Sequence, residues 1–178
     1  HVVEVPEFNL IVVHEPGIEN YQRVRNAIKQ VLGPRVVYAY SYQSVILYKC
    51  LDDPRECTEA VKTCVRGSGI PVIKVIPVDR VSKAEIRAVR EAVREVARRI
   101  PEGSTFRITL QGHVDREESG YLVELSSDEA VREIAEEIDR PVNLTKPDWV
   151  VYVRVIKVGF TKVAAISLLK PEELKRIQ

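Results

Sequence analysis

The pattern of the first eighty residues most constrains the fold. Short β-branched runs alternate there with two amphipathic stretches, each closed by a glycine stop. Residues 8–14 (FNLIVVH) form an apolar run bounded by Glu15-Pro16-Gly17. Residues 20–32 carry Tyr21, Val24, Ile28 and Val31 at helical spacing, and Gly33-Pro34 ends them. Residues 35–40 and 43–50 are β-branched and aromatic, which predicts two strands with Ser41-Tyr42 near the turn. Asp52-Asp53-Pro54 opens a second helix, Gly67-Ser68-Gly69 ends it, and residues 71–77 (PVIKVIP) read as a fourth strand.

Strand, helix, strand, strand, helix, strand is the ferredoxin-like order, an antiparallel sheet with two helices on one face. A chain of 178 residues has room for that domain and a second small one. The second half starts with a helix whose apolar stripe is Ile86, Val89, Val93, Val96 and Ile100, with Ser82 as a candidate cap. A strand at 104–110, a polar loop at 111–120 and a short strand at 121–125 follow. A helix capped by Ser127 then buries Val131, Ile134, Ala135 and Ile138. Two strands at 149–156 and 160–168 flank a turn at Lys157-Val158-Gly159, and Lys170-Pro171-Glu172 begins a closing helix. The expected class is α/β (α+β), with domains at 1–79 and 80–178.

Charge is segregated along this sequence. The net charge is only +1. Residues 80–116 hold nine Lys/Arg against five Asp/Glu, whereas residues 128–139 hold six acidic residues against Arg132 alone. Lys83, Arg87, Arg90, Arg94 and Arg98 are spaced so that all five fall on one side of a helix. A row of cations on a scaffold suits a polyanion. The alternative is a solvated helix, with Glu91 paired to Arg87 or Arg94 and Glu95 to Arg98 or Arg99. Tyr38, Tyr40 and Tyr42 alternate, either as a stacking ladder for bases or as aromatic cover for the sheet.

Cys50, Cys57 and Cys64 have no zinc-ligand spacing. They read chiefly as buried small hydrophobes. A disulfide from Cys50 to one of the others suits only a disulfide-tolerant thermophile. A chain with no Met, few Asn and Gln and 30% charged residues has the composition of a thermophile. No apolar run approaches the roughly 20 residues of a membrane span, and no signal peptide is visible, so a cytoplasmic location is expected. Neither of the glycine-rich nucleotide motifs is present. His113, near Asp115, Glu117 and Glu118, is the one arrangement resembling a metal or acid–base cluster, and it has no second histidine nearby.

Three segments resemble the THUMP domain, the tRNA-binding module of several tRNA-modifying enzymes. They are KVIPVDRV (74–81), IPEGSTFRI (100–108) and REIAEEIDRPVNLTKPDWVVYVRVI (132–156). The last contains the connection Val142, Asn143, Leu144, Lys146, Pro147, Asp148. The resemblance spans about residues 74–168, and the first half resembles the ferredoxin-like domain often found ahead of THUMP. After the FRI strand, where relatives are rich in Lys and Arg, this chain has Gln111-Gly112-His113-Val114-Asp115. The similarity points to the small standalone archaeal proteins related to the eukaryotic adaptor of tRNA cytidine N4-acetylation. It implies a tRNA-binding protein that presents tRNA to a separate RNA cytidine acetyltransferase, with no cofactor, metal or catalytic residue of its own. With the chain stopping at Gln178, no room is expected for an appended catalytic domain. The cations expected to meet RNA are Lys74, Arg80, Lys83, Arg87, Arg90, Arg107, Arg140, Lys146, Arg154, Lys157 and Lys162. The alternatives are a tRNA-modifying enzyme in its own right and a protein-interaction module without RNA binding.

Overall fold

In the computed structural model, which describes residues 5–177, two units are distinct. One reaches to Val78 and is rejoined by the chain from Leu174, and the other is Asp79–Glu173.

The first unit holds β1 (Leu10–His14), α1 (Ile18–Leu32), β2 (Val36–Tyr42), β3 (Val45–Cys50), α2 (Pro54–Val65) and β4 (Val72–Pro77). Its sheet runs β2-β3-β1-β4 with every neighbour antiparallel, the ferredoxin-like arrangement. Leu10, Val12, Ile46 and Val75 meet Val24 and Ile28 of α1 and Val61 and Val65 of α2 in one core. The Asp53 carboxylate caps α2 by accepting from the Arg55 amide at 2.9 Å, with Pro54 in the first turn.

Three details of this unit refine or decide between the sequence readings. The strand β2 continues through Ser41 and Tyr42, and the turn falls on Gln43-Ser44, where Gln43 has φ +53°. A register shift between Tyr38 and Tyr40 breaks the tyrosine ladder: Tyr38 opposes Tyr48, while Tyr40 and Tyr42 oppose Leu47 and Val45 on the other face. Cys50 and Cys57 are joined in a disulfide, with Cα atoms 6.7 Å apart, rather than lying as separate thiols. Cys64 is exposed and free, at the edge of the buried stripe that Cys57, Val61 and Val65 form.

The second unit holds β5 (Arg80–Lys83), α3 (Ile86–Ala97), β6 (Phe106–Gln111), β7 (Asp115–Glu118), β8 (Tyr121–Glu124), α4 (Ser127–Ala135), β9 (Trp149–Val158) and β10 (Thr161–Leu169). The main sheet runs β5-β10-β9-β6, with β6 parallel to β9 and the other pairs antiparallel. The α3 stripe is buried as expected, together with Ala92 and Ala97, against Phe106, Ile108, Val151, Val153, Ala164 and Ile166. Ala130, Ile134 and Ile138 of the α4 region join that core, while Val131 and Ala135 sit at its margin.

Both predicted caps move. Glu85 caps α3, its carboxylate accepting from the Arg87 amide at 2.7 Å and the Ala88 amide at 3.3 Å. Ser82 and Lys83 belong to β5 instead. Ser126 rather than Ser127 caps α4, accepting from the Glu129 amide. The polar loop contains β7, which pairs with β8 as an exposed hairpin turning on Ser119-Gly120. The strand β7 escapes the hydrophobic pattern because neither of its faces is buried, whereas β8 is the short strand expected at 121–125. The closing helix is a single 3-10 turn at Pro171–Leu174. Gly112 has φ +94°, and a Cβ there would fall 2.8 Å from the Val155 Cβ, so only glycine fits where the chain leaves β6. Among the described residues, no helix is long and apolar enough to cross a membrane.

Candidate nucleic-acid interface

The arginine row does not stand as an open positive surface. Arg90 donates to Glu137 at 2.9 Å, Glu133 at 3.3 Å and Glu136 at 3.2 Å, all on or just past α4. Arg94 donates to the second Glu137 oxygen at 2.9 Å. Arg116 pairs with Glu133, and Arg80 with Glu95. The hydrogen bond from Arg94, then that from Arg90, holds the Glu137 carboxyl below the ordinary range against the effect of burial. The basic and acidic segments of the sequence therefore neutralise each other across the α3–α4 seam. Among the described residues no ion pair joins the partners expected within the helix: Glu95 turns to Arg80 on β5, and Glu91 acts on Arg94 only at longer range. Lys83, at the end of β5, leaves the helical row, and Lys162 is held by Asp115 at 3.1 Å. Arg80, Arg90 and Lys162 are thus committed to carboxylates.

Other cations gather where the connection into β9 is strung along the edge strand β6. The Phe106 amide donates to Pro141 O and the Asn143 amide to Phe106 O, each at 3.0 Å. Asn143 Oδ1 accepts from the Thr145 and Lys146 amides, folding the tip of the connection. Asp148 closes it, accepting from the Thr105 amide at 2.8 Å and the Thr105 hydroxyl at 3.2 Å. These bonds, the backbone one foremost, hold its carboxyl below the ordinary range.

This frame carries Arg107, Arg140 and Lys146. Arg107 Nη1 donates to Leu144 O at 3.2 Å. Arg140 donates to Ile100 O at 3.0 Å and to its neighbour's carbonyl at 2.6 Å. On the same sheet face as Arg107, Arg154 donates to Gln111 Oε1 at 3.1 Å and to the Tyr152 hydroxyl at 3.2 Å. Arg107 and Gln111, the residue opposite Arg154, are four apart on one strand, about 13 Å along the backbone. The three arginines contact only neutral acceptors, and none of the four cations has a carboxylate partner among the described residues. Exposed Val142 and Leu144 flank them. Such a set offers several uncompensated charges on a fixed frame, which suits a polyanion bound through its phosphates.

The remaining expected residues lie apart. Lys74 is on β4 of the first unit, opposite Val13. Arg87 is exposed in the first turn of α3, and Lys157 is exposed near the end of β9. His113 Nδ1 stands 3.8 Å from Glu124, and no group of three or more metal-ligating side chains occurs among the described residues. Sequence reasoning missed Lys170, whose ammonium lies 3.9 Å from the Trp149 ring centroid. The Trp149…Lys170 pairing is long-range and leaves no local signal. A hollow of 530 Å³ lined by Lys83, Glu85, Asp115, Leu122, Phe160 and Lys162 was also missed.

No family model and no curated protein matches the sequence. Solved structures do resemble it. PH1313 from Pyrococcus horikoshii OT3 aligns with a TM-score of 0.66 at 17% identity over 92% of this chain and 55% of its own. TrmN from Thermus thermophilus aligns at 0.57 and 15% identity over 96% and 47%. A 4-thiouridine synthetase solved with RNA and ATP aligns at 0.54 and 15% identity over 92% and 42%. The chain spans about half the length of these proteins. At such identities the likeness establishes the fold, and the architecture is the α/β THUMP-like one that the sequence resemblance implied.

Proposed function

We propose that this protein binds tRNA and presents it to a separate modifying enzyme, an RNA cytidine acetyltransferase, without performing chemistry itself. The observation that carries the RNA half is the set Arg107, Arg140, Lys146 and Arg154, which among the described residues no carboxylate opposes, on β6, the connection beside it and the neighbouring strand β9. One structure sharing the fold is a synthetase bound to RNA. The presentation half is supported by a second, unlike surface. Phe160 is wholly exposed beside Leu122 in the 530 Å³ hollow, an apolar patch with charged margins suited to a protein partner.

A salt series of tRNA gel shifts tests the first half. Log affinity should fall linearly with log salt, and Arg107→Gln with Lys146→Gln should lower the slope by about 2. Affinity indifferent to salt refutes phosphate-led binding. For the second half, the protein alone is incubated with tRNA and acetyl-CoA or S-adenosylmethionine, and nucleosides are read by mass spectrometry. Product formed without a partner refutes the adaptor reading. Phe160→Asp should abolish partner-dependent acetylation while leaving tRNA affinity unchanged.

A further inference from the structure

The first unit contains a cationic cleft outside the interface above. Arg25 of α1 has no carboxylate partner among the described residues. Its guanidinium carbon lies 4.0 Å from the Tyr38 ring centroid, and Nη1 donates to the Tyr21 hydroxyl at 2.8 Å. The Tyr21 and Tyr38 hydroxyls both reach Ser41 Oγ, at 3.4 and 2.7 Å. One hydroxyl of the cluster is left over. Tyr48 is 3% exposed; Arg25 lies close enough to act on its oxygen, but its O–H finds no acceptor among the described residues. Burial pushes its ionisation up to about 12, so the group stays a neutral O–H donor at physiological pH.

Tyr48, Arg25, Asn26 and Lys29 line a cleft of 270 Å³ beside α1, and no Asp or Glu lines it. The cleft brings together the spare N–H groups of a guanidinium, a buried O–H, an ammonium and a side-chain amide. A buried donor without an acceptor is rare in folded proteins. Two positive charges without a counter-charge make the missing acceptor an anion with several oxygens.

We propose that this cleft binds a phosphate group, with Arg25 and the Tyr48 hydroxyl donating to its oxygens and Lys29 supplying the second charge. The phosphate comes either from the backbone of a bound RNA or from a free phosphorylated molecule. The site stands independently of the RNA reading, because inorganic phosphate alone decides it.

Full-length protein is titrated calorimetrically with sodium phosphate against sodium chloride at matched ionic strength. Saturable phosphate binding is expected. Arg25→Gln should weaken it about tenfold or more and Tyr48→Phe about fivefold. Tyr48→Phe keeps the ring packing and removes only the hydroxyl, so its thermal midpoint without phosphate should stay close to that of the wild type. No saturable binding above chloride overturns the proposal, as does equal phosphate affinity in wild type and Tyr48→Phe. Gel shifts with bulk tRNA then assign the source. With phosphate binding lost in Arg25→Gln, a parallel loss of tRNA affinity assigns the site to the RNA backbone. Unchanged tRNA affinity assigns it to a free phosphorylated ligand, and both outcomes uphold the site.

Discussion

Replacing Arg90 with Gln separates the two duties that its charge suggests. The side chain faces Glu133 and Glu137 in a sheltered seam: Arg90 is 28% exposed and the carboxylates 19% and 11%. Screening by the nearby solvent leaves each of these pairs about 0.5–1 kcal/mol, and Glu136, being 60% exposed, adds little. The variant should therefore lose about 1–2 kcal/mol, allowing also for two carboxylates left facing each other. Trp149, the single tryptophan, reports on the second unit alone in urea unfolding followed by fluorescence. With a slope of about 2 kcal/mol per M, the midpoint falls by about 0.5–1 M. The Glu137 carboxyl is lowered in the folded state, so its stabilisation is complete above the unfolded value, about 4.3, and is lost as pH falls through the folded one. Arg90→Gln should narrow the difference between the midpoints at neutral and acid pH without abolishing it, since Arg94 is the larger cause. Affinity for tRNA should stay within about twofold of wild type, as loss of one free phosphate contact would cost more. An unchanged urea midpoint with a tenfold loss of tRNA affinity refutes the reasoning, because Arg90 would then serve RNA and not the seam.

Three further outcomes are expected. Cys57→Ser opens a loop of about eight residues and should cost the first unit about 2.5 kcal/mol by loop-closure entropy, read by near-ultraviolet dichroism of its tyrosines. The intact protein should meanwhile label with maleimide at Cys64 alone. Asp148→Ala should release the connection from Thr105 and weaken tRNA binding although it removes a negative charge. In the wild type that order, supported by a lowered carboxyl, is complete above the ordinary carboxylate value near 4 and is lost as pH falls through the folded one, which Trp149 fluorescence reports. Gly112→Ala places a methyl group against Val155 at a left-handed backbone angle and should cost about 2 kcal/mol in the same urea assay.

Much of the fold was written in periodicity. The stripe from Ile86 to Ile100 and the runs that became β1, β4, β9 and β10 are patterns forced by a buried face. Elements without one escaped: β7 is polar on both sides, and the bulge at Ala39 reverses Tyr40 through a local register change that no spacing reveals. The interface was legible in part. Arg107, Lys146 and Arg154 were named from their motifs, yet their standing depends on the lack of a carboxylate within reach, a three-dimensional fact. The arginine row misled for the same reason. Its complement was visible in the acidic stretch at 128–139, but only the packing of α3 beside α4 turns two opposite tracts into one seam.

The tail carries one more consequence. Beyond residue 173 the chain goes back to the first unit, where the Ile177 amide donates to Ile73 O at 2.9 Å and Arg176 meets Glu15 at 2.7 Å. The first-made unit thus receives pieces that are made after the second, whereas everything between Asp79 and Glu173 leaves the ribosome as one uninterrupted stretch. On a translating ribosome the later-made body can finish folding first, and a stop codon at position 174 would injure the body it is farther from in the gene.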